Sequence, residues 1–391
     1  MAEEIVLDLF LICLTALVFG LVADRLHLPP PVGYVVAGIA IGPYTGGPTI
    51  SHLPLIGILA EVGLALWLFI LGIEFSLKDL HPVRRLAWVG TPLQMLLSGA
   101  CGYALALWMG WSGMAALWFS VLVSLSSVVM APRLLTVLSL PDETAHRLMT
   151  GLLTVQNLLV VPLVLVLYTL GRGEGNIWGV GVAVTEGLLI LAVLLFIGTQ
   201  IIPRIVTWFG GPSAELSNQV VLTCAVLIGV GAYVYGLPFV FVAFAIGLSL
   251  SGSEQLSPML RTILPYRALF GVLFFVSMGM LLDIHFLPEH AGPLMVVAGL
   301  SMIAKGVILF LIVRTFGYSA TQALLVGLTL SQIGELALIL VRLGAEVGIF
   351  APVAYTFGVA SVLLSLLVTP FLTALYPPLA RRFRERGMAS S

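Results

Sequence analysis

The chain of 391 residues carries a formal net charge of −1, and 60% of its residues are hydrophobic while only 9% are charged. A soluble domain contains roughly 25% charged residues, so the composition excludes a water-soluble globular protein, and the near-neutral charge gives no reason to expect a nucleic-acid partner. Apolar stretches of about 20 residues, the length that spans a bilayer as a helix, recur along the sequence. The chain is therefore predicted to be an all-α membrane protein whose surroundings are the lipid bilayer.

Thirteen transmembrane helices are predicted in chain order, and the second and ninth are short and rich in glycine. They lie near residues 4–23, 32–43, 54–75, 86–109, 113–138, 146–170, 177–202, 217–235, 238–251, 262–282, 292–313, 319–341 and 352–376. No connection is long enough for a soluble domain. Residues 1–376 are thus expected to form one transmembrane domain, followed by a basic tail at 377–391.

The distribution of lysine and arginine predicts the orientation in the membrane. With thirteen spans and the N-terminus outside, the basic connections fall on the cytoplasmic side, and only Arg172 and Arg342 fall outside. The first residues lack the basic region of a cleavable signal peptide, so the first helix is expected to be retained. These features predict a multi-pass protein of a bacterial inner membrane with a cytoplasmic C-terminus.

Three pairs of segments repeat in the same order at an offset of about 205 residues. The run PPPVGYVVAGIAIG resembles GLPFVFVAFAIG, LFILGIEFSL resembles FFVSMGMLLD, and VLVSLSS resembles VGLTLSQ. Six spans per repeat plus one connecting span make the second copy enter the membrane from the opposite side. The sequence therefore predicts an inverted-topology repeat, an architecture common among secondary transporters.

Two repeat-related stretches contain polar residues that interrupt apolar helices. The first is SLSSVVMAP at 124–132, with Ser126, Ser127 and the helix-breaking Pro132. The second is LTLSQIGEL at 328–336; its polar residues are Ser331, Gln332 and Glu335. Two broken helices that point their ends at each other are predicted here, with charged residues balancing the partial charges of those ends. Ordinary helix–helix hydrogen bonding is the competing interpretation.

Two further features place polar groups in the middle of apolar spans. Lys305 lies within GLSMIAKGVILFLIV, where an ammonium group is costly unless it is paired or can lose its proton. Gln156 and Asn157 lie in the sixth span, five residues or more before Pro162. Their amide groups can offer oxygen atoms to a cation but cannot exchange a proton at physiological pH. No catalytic triad or metal-ligand cluster is apparent, so an enzyme is not expected.

The residues that carry these features occur together, in one order, in a known family. The runs LAEVGLALWLFILGIEFSL, VQNLLVVPLVLVL, LFGVLFFVSMGMLLD and LTLSQIGELALIL, with the Lys305 span, resemble the membrane domain of Kef-type potassium/proton antiporters. These form a branch of the second monovalent cation–proton antiporter family. The resemblance extends over nearly the whole chain.

The resemblance implies a thirteen-helix sodium/proton antiporter-like fold that contains two crossed, broken helices and works as a homodimer. It implies a dimerisation part at about 1–83 and 217–285, a mobile core at about 84–170 and 291–376, and a linker helix at about 177–202. It also implies elevator-like exchange of K⁺, more than Na⁺, for H⁺, with no cofactor. The ion site would comprise the residues Asn157, Gln156, Lys305, Ser126, Ser127, Ser331, Gln332 and Glu335, with a monovalent cation at Asn157, Gln156 and Ser126.

The sequence departs from the family pattern at two places. Kef-type members carry Gln-Asp where this chain has Gln156–Asn157, so either an aspartate has been replaced by asparagine in a silenced variant, or the natural protein lacks the carboxylate. A regulatory nucleotide-binding domain, which follows the membrane domain in many members, is not apparent. Two other hypotheses remain open: an anion or organic-acid transporter that uses Lys305, and a transport-silent membrane sensor.

Overall fold

The computed structural model describes residues 2–46, 50, 52–74, 81–137, 142–171, 177–209, 214–234, 239–250 and 257–381. Within these ranges the chain is almost entirely helical. The helices are α1 (Ala2–Arg25), α2 (Pro30–Ile41), α3 (Leu53–Glu74), α4 (Thr91–Trp108), α5 (Gly113–Ser124), α6 (Met130–Val137), α7 (Glu143–Gly171), α8 (Ile177–Phe196), α9 (Ile202–Phe209), α10 (Ala214–Val234), α11 (Phe239–Leu250), α12 (Ser257–Met280), α13 (Phe286–Thr315), α14 (Ala320–Thr329), α15 (Leu336–Glu346) and α16 (Pro352–Ala374).

Each predicted span coincides with one helix or with a pair of consecutive helices. Two π-helical segments, Leu86–Gly90 and Ile197–Ile201, lead into α4 and join α8 to α9. By length and composition, five of the described helical segments could each cross a membrane: Glu4–Arg25, Glu143–Gly171, Trp178–Phe209, Phe286–Thr315 and Pro352–Ala374. Most of the basic tail predicted at 377–391 lies outside the described residues.

The chain divides into two compact units, and three of the five boundaries between them fall inside α1, α7 and α12. The first unit contains residues 1–8, 51–82 and 157–277, and the second contains residues 9–50, 83–156 and 278–391. Most of the polar residues singled out in the sequence belong to the second unit. Asn157, the exception, is the residue of α7 at which the first unit resumes.

Repeat-related glycines allow close helix packing in both units. In the first unit, a Cβ atom on Gly72 of α3 would lie 2.5 Å from the carbonyl oxygen of Phe244 in α11. In the second unit, a Cβ atom on Gly279 of α12 would lie 2.9 Å from the Cα atom of Gly38 in α2. Because only glycine tolerates such backbone contact, these glycines allow the helices of each unit to pack closely.

Both predicted helix interruptions are present. The first separates α5 from α6 and starts at Leu125, whose backbone is extended (φ −79°, ψ 138°). The second separates α14 from α15 and contains residues 330–335. The role assigned to Pro132 was wrong: it lies in the first turn of α6, where its missing N–H group would have had no partner in the helix. The first break therefore ends before the proline and is not caused by it.

Candidate ion site at the crossing of two broken helices

The two interruptions meet within the second unit, and their backbones hydrogen-bond to each other. The N–H of Gly334 donates to the carbonyl oxygen of Leu125 at 3.0 Å. The hydroxyl of Ser126 donates to the carbonyl oxygen of Leu330 at 2.8 Å. Leu125 and Leu330 are counterparts in the repeat, so segments about 205 residues apart in sequence form one local structure.

Lys305 of α13 binds the carbonyl ends of both breaks. Its side chain is completely buried, and its Nζ donates to the carbonyl oxygen of Leu125 at 2.5 Å and to that of Gln332 at 2.9 Å. The carbonyl end of a helix carries partial negative charge, and a break leaves such carbonyls without intrahelical partners. The ammonium group therefore lies where the broken helices offer the most favourable potential for a positive charge.

Glu335 complements the opposite end of the first break. Its side chain is also fully buried, and Oε1 accepts hydrogen bonds from the N–H groups of Val128 (3.2 Å) and Val129 (3.3 Å). These amides precede α6, where the unpaired N–H groups of a helix start favour negative charge. Among the described residues of the second unit, Lys305 and Glu335 are the buried charged side chains. Lys305 binds carbonyl groups of the breaks, and Glu335 binds amide groups.

Gln156 forms hydrogen bonds to the first break through both the oxygen and the nitrogen of its side-chain amide. Its Oε1 accepts from the N–H of Ser126 at 3.1 Å, and its Nε2 donates to the carbonyl oxygen of Ser124 at 2.6 Å. A second amide converges on the same carbonyl, because Nε2 of Gln94 in α4 donates to it at 3.0 Å. The side chain of Gln156, which the sequence predicts as a cation ligand, is therefore hydrogen-bonded to the backbone of the first break.

Gln94 was missed by the sequence reasoning. It is 3% exposed and also donates to the hydroxyl of Ser98 at 2.7 Å. The signal available in the sequence was the same as for Gln156: one uncharged amide within an otherwise apolar helix. What it lacked was a repeat partner or a neighbouring polar residue.

Replacing Gln94 with leucine should destabilise the protein by about 1–2 kcal/mol, because two buried hydrogen bonds are lost while Ser124 keeps the amide of Gln156. The measurement is the thermal unfolding midpoint of the purified protein in detergent. Gln200→Leu is the matched control, since Gln200 is exposed and its replacement should leave the midpoint unchanged. Equal midpoints for the two variants would show that Gln94 contributes nothing to the crossing.

The remaining predicted site residues fall into two groups. Ser127 and Ser331 bond locally: the Ser127 hydroxyl accepts from the N–H of Met130 at 3.0 Å, and that of Ser331 donates to the carbonyl of Leu328 at 3.0 Å. Asn157 and Gln332 are buried, and within the described part of the chain neither side-chain amide has a hydrogen-bond partner. Such groups are costly to bury, so these two are available for a ligand.

Comparison with known proteins agrees with this architecture. A model of the transmembrane sodium/hydrogen exchanger family matches residues 13–376. The putative cation/proton antiporter YbaL of Escherichia coli is 35% identical over 92% of this chain and 66% of its own length. The K(+) efflux antiporter 6 of Arabidopsis thaliana is 30% identical over 96% of this chain and 64% of its own length. The chain thus spans about two thirds of the length of these relatives.

A solved structure shares the fold. The sodium proton antiporter MjNhaP1 from Methanocaldococcus jannaschii superimposes with a TM-score of 0.76, covering 95% of this chain and 97% of that one at 15% identity. At this identity the likeness establishes the all-α antiporter fold alone. The family match and the relatives establish kinship with transporters. The chain therefore belongs to the transmembrane sodium/hydrogen exchanger family and is a Kef-type membrane domain within it.

Proposed function

We propose that this chain forms the transport domain of a secondary antiporter that exchanges a monovalent cation for protons. The observation that carries the proposal is the environment of Lys305. Two of the three N–H donors of its ammonium group are engaged by backbone carbonyls, and the side chain is fully buried. An anion transporter would need those donors free for its substrate. The surroundings of Lys305 therefore favour a cation over an anion or organic acid.

Asn157 is proposed as the position where the cation and the proton would compete. In the family pattern this place belongs to an aspartate, and asparagine is nearly isosteric with protonated aspartic acid. Its side chain is 2% exposed, and its amide has no hydrogen-bond partner within the described residues. The amide oxygen is therefore available to coordinate an ion. Asparagine binds no proton at physiological pH, so coupled exchange should be silenced whether the asparagine is natural or introduced.

K⁺ is the preferred cation of the proposal. Relatives are named K(+) efflux antiporters, and they match this chain over nearly its entire length. Na⁺ is the competing choice, because the structural relative MjNhaP1 is a sodium proton antiporter. We assign no cofactor to this exchange; the transported ions are the ligands.

Elevator-like movement of a core within a homodimer is proposed as the mode of transport. It is supported by the hydrogen bonds that tie both breaks, Gln156 of α7 and Lys305 of α13 into one body. A body held together in this way can move as a rigid element and carry its ion site with it. The membrane is proposed to be a bacterial inner membrane, with the N-terminus outside.

The test is cation-driven proton movement in proteoliposomes, followed with a pH-sensitive dye, for this chain and for Asn157→Asp. The aspartate variant should exchange K⁺ or Na⁺ for protons at least about tenfold faster, because it restores a group that binds either ion. Asn157→Ala controls for loss of the amide alone and should remain silent. If the unaltered chain and the aspartate variant are both silent in K⁺, Na⁺ and Li⁺, cation exchange is the wrong function, and anion substrates of Lys305 become the next candidates.

A further inference from the structure

Three buried side chains near the second break carry polar atoms without a hydrogen-bond partner in the described part of the protein. They are the hydroxyls of Ser301 and Thr329 and the amide of Gln332, in side chains no more than 1% exposed. Other buried hydroxyls behave differently. Those of Ser361 and Thr369 in α16, for example, donate to carbonyls of their own helix at 2.8 and 2.6 Å.

The three side chains lie on segments that pack against each other. Helices α13 and α14 pack tightly at Gly306 and Gly327: a Cβ on Gly327 would lie 2.6 Å from the Gly306 carbonyl oxygen. The backbone oxygen of Gln332, just beyond α14, lies 2.9 Å from the Nζ of Lys305, so the second break lies beside α13 near Lys305. Ser301 is also one turn before Lys305 and therefore on the same face of α13.

Leaving such groups unsatisfied would cost about 1–3 kcal/mol each. Buried water molecules commonly solve this problem, since each forms about three hydrogen bonds to otherwise unpaired polar groups. Two hydroxyls and one amide offer donors and acceptors together, which suits water. A cation would suit the place poorly, because the ammonium nitrogen of Lys305 is only 2.9 Å from the backbone oxygen of Gln332.

We propose that Ser301, Thr329 and Gln332 hold a small cluster of water molecules that carries protons to and from Lys305. The inference rests on the proposed function, because only a proton-coupled transporter needs such a path. The route gives Lys305, enclosed by protein and bonded to two carbonyls, contact with water on one side of the membrane in at least one state.

The first arm of the test measures access of water-borne reagents to the proposed cluster and does not depend on transport. Cys13, Cys101 and Cys224 are replaced by alanine, and Ser301→Cys or Ser361→Cys is introduced. Ser361 is the matched control, being a buried serine whose hydroxyl is satisfied by its own helix. In membranes, the cysteine at 301 should react with a small hydrophilic methanethiosulfonate at least about tenfold faster than the one at 361.

Two results of this arm would overturn the inference. Equal, slow reaction at both positions would show that no water reaches the Ser301 face of α13. Protection of the cysteine at 301 by saturating K⁺, with no protection by an equal concentration of choline, would show that the place holds the transported cation and not water. Unchanged reactivity in K⁺ supports the water cluster.

The second arm measures transport in the Asn157→Asp background. Adding Thr329→Val, which removes one hydroxyl at nearly constant shape, should slow proton exchange several-fold while the KM for the cation stays unchanged. Thr369→Val is the control and should exchange at the parent rate. A normal rate for Thr329→Val would overturn the water path while leaving the antiporter proposal intact. A silent parent would instead contradict the antiporter proposal, and the labelling arm would still decide whether the pocket is hydrated.

Discussion

Gly334→Ala is expected to disrupt the crossing of the two broken helices and to lower the stability of the protein. A Cβ atom at this position would lie 2.5 Å from the carbonyl carbon and oxygen of Ser126 and 2.7 Å from the backbone nitrogen of Ser127. All three are backbone atoms, so rotating a side chain cannot relieve the clash. The two breaks would have to separate, which weakens the bond between the Gly334 N–H and the Leu125 carbonyl.

The expected loss is about 1–3 kcal/mol or more, the range for overpacking a tight interior. It is measured as a lower unfolding midpoint and a smaller yield of monodisperse protein in detergent. Gly299→Ala is the control, since a Cβ on Gly299 in α13 meets no atom within 4 Å. Alanine there should be neutral or stabilising, because it favours the helix. An alanine at 334 that is tolerated as well as one at 299 would contradict the crossing geometry.

Glu335→Leu is expected to destabilise the protein strongly, because it removes the acceptor of two buried backbone hydrogen bonds. Leucine leaves the buried N–H groups of Val128 and Val129 without their acceptor, at about 1–3 kcal/mol each. It also leaves Lys305 without a buried carboxylate in the described part of its unit. Removing the cost of burying the carboxylate offsets part of this loss, but leucine offers nothing to the start of α6.

The Glu335→Gln variant distinguishes the contribution of the hydrogen bonds to stability from that of the negative charge. Its side-chain oxygen can still accept from both amides, so the unfolding midpoint should fall much less than in the leucine variant. Thermal unfolding of the three proteins under one detergent condition gives the comparison. A glutamine variant as unstable as the leucine variant would mean that the negative charge, and not its hydrogen bonds, stabilises the first break.

The location of the spans and of both breaks followed from local sequence. Hydropathy over about 20 residues reports whether a segment can lie in lipid, and the repeated VLVSLSS and VGLTLSQ runs mark the two interruptions. The same local reasoning failed at Pro132. Proline is compatible with the first turn of a helix as well as with its end, and only the observed start of α6 at Met130 distinguishes the two.

The sequence by itself determined the all-α membrane class, the inverted repeat, the two broken helices and the buried position of Lys305. Only the tertiary structure decided what these groups bind: Lys305 meets carbonyls of Leu125 and Gln332, Glu335 meets amides before α6, and Gln94 joins Gln156 on one carbonyl. The physical reason is distance along the chain. Hydropathy is summed locally, whereas these hydrogen bonds join residues as many as 207 positions apart, and their geometry exists only once the repeats have packed.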